Sequence, residues 1–282
     1  MGQTIACANQ KGGVGKTTTV VNLGTYLAMA GQRVLLVDVD PQGNATSGLG
    51  IDRTPGSLTL YDSLVEGAQI EPSIVPTGVP GLSLVPSSVE LAGADVELAA
   101  VDQRERRLRR VLEAVRSDYD YILLDCPPSL GLLTVNALTA ADAVLIPLQS
   151  EYYALEGLTQ LIATVNLVRD HLNPQLEIAG VVLTMYDART NLSADVAGEA
   201  RRHLGAAVFN TIIPRNVRLS EAPSFGLPIA LYRPDSRGAE SYAALTDELL
   251  RRDRDGGGHF GPSTLVTRAP VRQDAPVAGV VS

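Results

Sequence analysis

Lysine is almost missing from this sequence of 282 residues. Only Lys11 and Lys16 occur, and every other side chain among the 23 basic residues is arginine. An ammonium is a compact point charge, whereas the planar arginine fork serves well on a solvated surface. A chain that avoids lysine elsewhere and then places two within one loop gives each a task, which excludes reading them as ordinary surface charge. Cysteine is as scarce. Cys7 and Cys126 lie in or just after apolar runs, with neither C-x-x-C spacing nor a histidine cluster beside them. That excludes a disulfide framework and leaves two buried thiols in a reducing compartment. No stretch approaches about 18 uninterrupted apolar residues, and no charged segment followed by an apolar one opens the chain. A soluble, cytoplasmic protein with no membrane partner is expected. An excess of basic charge is absent as well: the formal net charge is −8 and the pI about 4.9. Any contact with DNA must therefore come from a local patch or from assembly rather than from global charge.

What is present is concentrated near the N-terminus. The apolar run Thr4 to Ala8 leads into Gln10-Lys11-Gly12-Gly13-Val14-Gly15-Lys16-Thr17-Thr18, after which Val20, Leu23, Leu27 and Ala30 fall at helical spacing until Gly31. A strand, a glycine loop and a helix in this order make a phosphate cradle. The glycines let backbone N–H groups turn onto an anion, the helix N-terminus adds its dipole, and the Thr17 hydroxyl can reach Mg²⁺. The ordinary G-x-x-x-x-G-K-[ST] pattern would put glycine at position 10, where this chain has Gln10 followed by the extra Lys11.

Further along, Val34 to Val37 and Tyr121 to Leu124 are apolar runs of the kind buried on both faces of a parallel sheet, and each ends in acid: Asp38-Val-Asp40-Pro-Gln-Gly43 and Asp125-Cys-Pro-Pro-Ser129. Ligands of open α/β sheets lie beyond the carboxyl ends of the strands, so Asp38, Asp40 and Asp125 should converge on the loop that carries Lys16. Asp125 can bind Mg²⁺ directly or through water. More buried strands are expected at Ala143 to Pro147, Ile178 to Leu183 and Val208 to Ile213, with helices at 132–141, 154–172, 192–204 and 239–252. Residues 51–100 say less: a turn at 54–56, a short helix near Leu60 to Val65 and a strand at Leu82 to Val85. A helix over 102–117 puts Leu108, Val111, Leu112 and Val115 inward and Arg104, Arg106, Arg107, Arg109 and Arg110 elsewhere. Glu105 and Glu113 interrupt that basic face, so arginine stems covering the core are expected there rather than a DNA site. His171 reads as a partner of a helix C-terminus. The fold class is α/β, a doubly wound, mostly parallel sheet flanked by helices, in one domain spanning 1–252. Residues 253–282, with their glycines and prolines, read as a disordered tail.

The K-G-G-x-G-K-T-T form, with lysine just before the first glycine, resembles the deviant Walker A loop of the ParA/MinD class of P-loop ATPases, and the D-x-D-P-Q and D-C-P-P-S segments follow in that class's order. The resemblance covers about residues 1–252. It implies ATP and Mg²⁺ as cofactors. Gly12, Gly13, Val14, Gly15, Lys16, Thr17 and Thr18 would cradle the phosphates, and Thr17 and Asp125 would hold the metal. Asp40 would orient the attacking water, with Asp38 in support. Lys11 would reach across a nucleotide-sandwich homodimer to the ATP of the other subunit.

The segment Pro214-Arg-Asn-Val-Arg-Leu-Ser-Glu-Ala-Pro223 resembles the adenine-side loop of partition ATPases, which assigns Pro214 and Asn216 to nucleotide binding. Arg189 and Arg218 match positions that in such ATPases touch DNA phosphates, with Arg201, Arg202, Arg251 and Arg252 as weaker additions. The ParA/Soj-type reading implies an ATP-dependent dimer on non-specific double-stranded DNA, nucleoid-associated when ATP-bound, and reset when a ParB-type centromere-binding partner stimulates hydrolysis. The chain opens directly at its first strand, which fits the small chromosomal kind. A MinD-like membrane positioner would need a basic amphipathic C-terminal helix, which the tail does not supply. An iron–sulfur reductase would need cysteines placed to share a cluster, and an amide synthetase an added substrate domain. Positioning of a cargo other than DNA is the remaining alternative.

Overall fold

The computed structural model describes residues 2–52, 56–151, 154–255 and 259–261. Unbroken apolar runs become the strands of an eight-stranded sheet: β1 Gln3–Cys7, β2 Val34–Asp38, β3 Val75–Pro76, β4 Leu82–Val85, β5 Tyr121–Asp125, β6 Ala143–Gln149, β7 Glu177–Tyr186 and β8 Val208–Pro214. Their order is β3-β4-β2-β5-β1-β6-β7-β8, parallel except for the short antiparallel edge strand β3. The helices are α1 Lys16–Met29, α2 Asn44–Gly48, α3 Ala94–Glu97, α4 Arg107–Glu113, α5 Leu132–Ala140, α6 Ala154–His171, α7 Asn191–Leu204, α8 Val217–Glu221, α9 Ile229–Tyr232 and α10 Arg237–Arg254.

Alternation along each strand sorts the side chains onto two buried faces, which is why the strands are apolar throughout. Ile5 and Cys7 of β1 join Val20, Leu23 and Leu27 of α1 and Tyr242, Leu245 and Leu249 of α10 on one face. Ala6 and Ala8 join Leu108, Leu133, Leu161 and Val196, from α4 to α7, on the other. The expected doubly wound architecture is the one observed. Registers align Cys7 with Asp125 and Asp125 with Asp38, so the carboxyl ends of β1, β5 and β2 finish at one level. From β1 the chain crosses to β2 on one side and from β6 to β7 on the other, and ligands gather where such connections diverge.

Some expectations change in detail. The arginine-rich segment is interrupted: a 3₁₀ turn at Arg104–Arg106 precedes the short α4. Its guanidinium groups are occupied locally, Arg107 on the carbonyls of Leu64 and Val65, Arg104 on Glu105, and Arg109 on Glu113. The antiparallel β3 and the short α2, α8 and α9 have no periodicity from which to read them. The segment assigned to a tail begins in order: α10 continues to Arg254, and Phe260 exchanges two 2.9 Å backbone hydrogen bonds with Ile178 of β7. Residues 256–258 and 262–282 lie outside the described residues, as do positions 54 and 55 of the expected turn and the side chain of Leu155.

The edge strand β8 is secured by α10. The Glu248 carboxylate is 6% exposed and accepts hydrogen bonds from Asn210 N (2.8 Å), Thr211 N (2.9 Å), Thr211 Oγ1 (2.8 Å) and Arg252 Nη2 (2.9 Å). Burial alone would push its carboxyl up, but these donors outweigh burial and hold it below the usual carboxylate range. The Arg252 guanidinium also lies 3.9 Å from the centroid of the Phe209 ring. This arginine is therefore occupied inside the fold and cannot enlarge a DNA-binding patch. Glu248→Ala leaves two backbone N–H groups of β8 and a half-buried guanidinium without their carboxylate, and should cost about 3 kcal/mol in urea unfolding. A loss below about 1 kcal/mol would mean that water replaces the carboxylate without penalty.

Candidate functional site

Between β1 and α1 the chain turns through Gly13 (φ 74°) and Gly15 (φ 87°), left-handed conformations that side chains disfavour. Gly15 caps α1 without a side-chain acceptor, so the first-turn N–H groups stay available to an anion. The loop is anchored from both sides. Thr184 Oγ1 of β7 donates to the Val14 carbonyl (2.8 Å), Asn9 Nδ2 donates to the Pro147 carbonyl (2.7 Å), and Asn9 Oδ1 accepts from Lys11 N (3.0 Å). Val14 is itself buried, so its side chain fastens the loop to the core.

The two lysines take different places. Lys16 is 6% exposed, donates from Nζ to the Lys11 carbonyl (3.2 Å), and lines a cavity of about 380 Å³ with Gly12, Gly13, Gly15, Thr17 and Thr18. Lys11 is half-exposed and outside that lining. Its Nζ lies 2.5 Å from Glu151 Oε2, while Gln149 Nε2 donates to the other oxygen of that carboxylate.

Three carboxylates meet at the strand ends and are used differently. Asp38 is fully buried. Its Oδ2 accepts from Thr46 N (2.8 Å) and Thr46 Oγ1 (2.6 Å), and its Oδ1 from Asp40 N (3.3 Å). Burial, with the Asp40 charge adding and the Thr46 hydrogen bonds opposing, pushes its pKa up to about 6. Asp40 lines the cavity, with Oδ1 accepting from Gln42 N (3.0 Å). Asp125 has both carboxylate oxygens buried and without a hydrogen-bond partner. Burial and then the charge of Asp38 drive its carboxyl well above the ordinary range. The Thr17 hydroxyl pulls the other way without closing a hydrogen bond, and Lys16 also opposes.

Two bare oxygens beside a lysine and a threonine hydroxyl fit a cation. No cluster of three or more His, Cys, Asp or Glu side chains suited to a metal ion occurs among the described residues. Mg²⁺ does not need one, because it binds through one or two carboxylates together with phosphate oxygens and water. Thr17 and Asp125 meet that requirement. Cys7 and Cys126 are buried outside the cavity lining, and burial pushes both thiols up, away from the thiolate form that attacks.

Met185, Leu219, Ala222, Pro223 and Leu227 add an apolar part to the lining, and Asn22, Asn44, Ser47 and Gly48 complete it. Pro214 and Asn216 do not line it. Pro214 ends β8, and the Asn216 side chain caps α8 by accepting from Arg218 N (2.8 Å). The apolar wall comes from the second half of the motif, whose Leu219 and Ala222-Pro223 were legible as sequence but carried no polar group to attract notice. Met185 had no signal in the sequence. It stands at φ 51°, unusual for a residue with a side chain, at the end of β7.

Both DNA-assigned arginines are exposed and already paired. Arg189 forks onto Asp187 through Nε (2.9 Å) and Nη2 (2.7 Å), which holds that carboxyl far below its usual range. Arg218 Nη1 lies 2.7 Å from Glu221 Oε2, which also accepts from the Tyr232 hydroxyl (3.1 Å). Arg215, between the two loops, is exposed and makes no ion pair among the described residues; its N–H donates to the Tyr186 carbonyl (2.9 Å).

Comparison with known proteins adds to this geometry. Residues 2–178 match a family described as an AAA domain. The chain is 60% identical over 249 residues to the sporulation initiation inhibitor protein Soj of Bacillus subtilis, covering 88% of this chain and 98% of that one. It is 55% identical over 255 residues to the chromosome partitioning protein ParA of Caulobacter vibrioides, covering 90% and 96%. Among solved structures, cobyrinic acid a,c-diamide synthase from Mycobacterium smegmatis, with bound ATP analog and magnesium, superposes with a TM-score of 0.81 at 37% identity, covering 93% of this chain and 99% of that one. Length therefore does not separate partition ATPases from a chain bearing an amide synthetase name, contrary to the expectation that the latter needs an added domain.

Proposed function

The chain belongs to the Soj/ParA family of chromosome-partitioning ATPases, and from that footing we propose a cycle in which bound ATP joins two subunits, the dimer holds DNA without regard to sequence, and hydrolysis releases it. One observation carries the proposal: the second loop lysine stands outside its own cavity. Lys16 is buried where the phosphates of ATP would lie, whereas Lys11 is half-exposed and paired with Glu151. A cation so placed can exchange that carboxylate for a phosphate held by a second copy.

The roles divide along the geometry. Lys16 and the loop N–H groups bind the β- and γ-phosphates, and Asp40 positions the water. Thr17 and Asp125 would hold Mg²⁺, which supplies neutralisation of phosphate charge when bound. The apolar wall from Leu219 to Leu227 receives the base, with Pro214 and Asn216 closing over it only if the loop after β8 moves. A ParB-type protein is the partner that would stimulate hydrolysis. Amide transfer from glutamine is disfavoured because both thiols are buried and neither lines the cavity. No helix among the described residues is long and apolar enough to cross a membrane.

Asp40→Ala should retain ATP, reduce phosphate release at least about 100-fold and accumulate a dimer in light scattering. Turnover within about threefold of the parent would remove Asp40 from the reaction. Wild-type protein with ATP should bind non-specific DNA and ignore anionic liposomes; the reverse outcome would favour a membrane positioner.

A further inference from the structure

The peptide groups of Asp40 are held by two buried side chains from different segments. Its N–H donates to Asp38 Oδ1 (3.3 Å), and its carbonyl accepts from Ser87 Oγ (2.6 Å). Ser87 N donates in turn to Thr46 Oγ1 (3.1 Å), which donates to Asp38 Oδ2 (2.6 Å). The bonds close a ring: Asp38, Asp40, Ser87, Thr46 and back to Asp38. Asp38, Thr46 and Ser87 are each 0% exposed. The ring joins the loop after β2, the start of α2 and the residues after β4, and its register is set by the pairing of Val37 with Val85.

Burying two hydroxyls and a carboxylate is costly unless each is bonded, and an apolar filling would hold the loop as firmly. What a closed polar ring adds is direction, because each bond fixes an orientation that apolar contact leaves open. The group so oriented is the main chain of Asp40, on both sides of the Cα from which its carboxylate enters the cavity. Of the ring's members Asp40 alone lines the cavity; Asp38, Thr46 and Ser87 stand behind it, outside the lining that the glycine loop and Lys16 share.

We propose that Thr46 and Ser87 are positioning residues for hydrolysis, which set the Asp40 carboxylate against the attacking water without taking part in nucleotide binding. The inference rests on Asp40 acting on water, and it separates two properties that a merely structural role would move together. Ser87→Ala and Thr46→Val should each lower kcat for phosphate release about 10- to 100-fold, with the Kd for ATP unchanged within threefold. Thr46→Ser, which keeps the hydroxyl, should recover at least half of the parental kcat. The double variant should be no slower than the worse single, because one broken bond opens the ring.

The measurement is steady-state phosphate release together with equilibrium binding of a fluorescent ATP analogue, on full-length protein, with Asp40→Ala run alongside. If Asp40→Ala hydrolyses normally, the role of Asp40 itself fails. If Asp40→Ala is slow while Ser87→Ala and Thr46→Val keep full kcat, Asp40 stands and the positioning role is overturned. Equal losses of affinity and kcat, or a Thr46→Ser as slow as Thr46→Val, overturn it too. Should Ser87→Ala not fold, the Thr46→Ser and Thr46→Val pair decides by the same criteria.

Discussion

Lys16→Ala should abolish ATP binding. The side chain is buried, points its ammonium at the carbonyl of Lys11, and is the only lysine in the wall of the cavity. A charged hydrogen bond is worth about 1.5–3 kcal/mol, and two such contacts to phosphate oxygens amount to roughly 1,000-fold in Kd. Lys16→Arg should be almost as poor. The guanidinium is larger and planar, and the space that leaves Lys16 6% exposed was shaped around a compact ammonium. Lys11→Ala provides the contrast: with its lysine outside the cavity, the variant should bind ATP normally and fail to dimerise. Equilibrium binding of a fluorescent ATP analogue to the three variants checks the set. Lys16→Ala with affinity within tenfold of the parent would overturn the assignment of the loop.

The scarcity of lysine makes this site legible in the sequence. Two lysines flanking glycines, followed by strand-end acids, leave few alternatives, and the registers that level Asp38 with Asp125 are what apolar runs of equal length predict. The limits are equally physical. Asp38 and Asp40 look alike as a pair of acids, and only the hydrogen bonds show one occupied by Thr46 and the other lining the cavity. Thr46 and Ser87 are ordinary residues in sequence, since a closed ring depends on three loops meeting. Leu219 and Leu227 give no signal in the sequence, because isolated apolar residues announce packing rather than a base. Arg252 reads as one more surface arginine until Glu248 and Phe209 are seen to enclose it.

Arg189→Glu combined with Arg218→Glu should remove DNA binding while leaving ATP-dependent dimerisation intact. If these arginines hold DNA as proposed, each substitution deletes one phosphate contact and places a like charge beside an existing carboxylate, Asp187 or Glu221. On a two-fold dimer the loss is doubled, and at about 0.9 in the salt slope per phosphate contact, both the affinity and its dependence on salt should collapse. A decrease of at least about 100-fold at moderate salt is expected. The intrachain pairs add a prediction of opposite sign. In the isolated chain both arginines are already partly neutralised, so DNA must displace Asp187 and Glu221 before it gains the contacts. Asp187→Asn should release the Arg189 fork and tighten DNA binding severalfold, most visibly at low salt, where screening is weakest. Fluorescence anisotropy with a random-sequence duplex, read across a salt series with ATP present, measures both directions. Salt-sensitive binding unchanged in the double charge reversal would place the DNA on another surface, with Arg215 and Arg201 the exposed arginines to test next. Tightening by Asp187→Asn without loss in the charge reversal would mean that the net charge of the face matters and these two side chains do not.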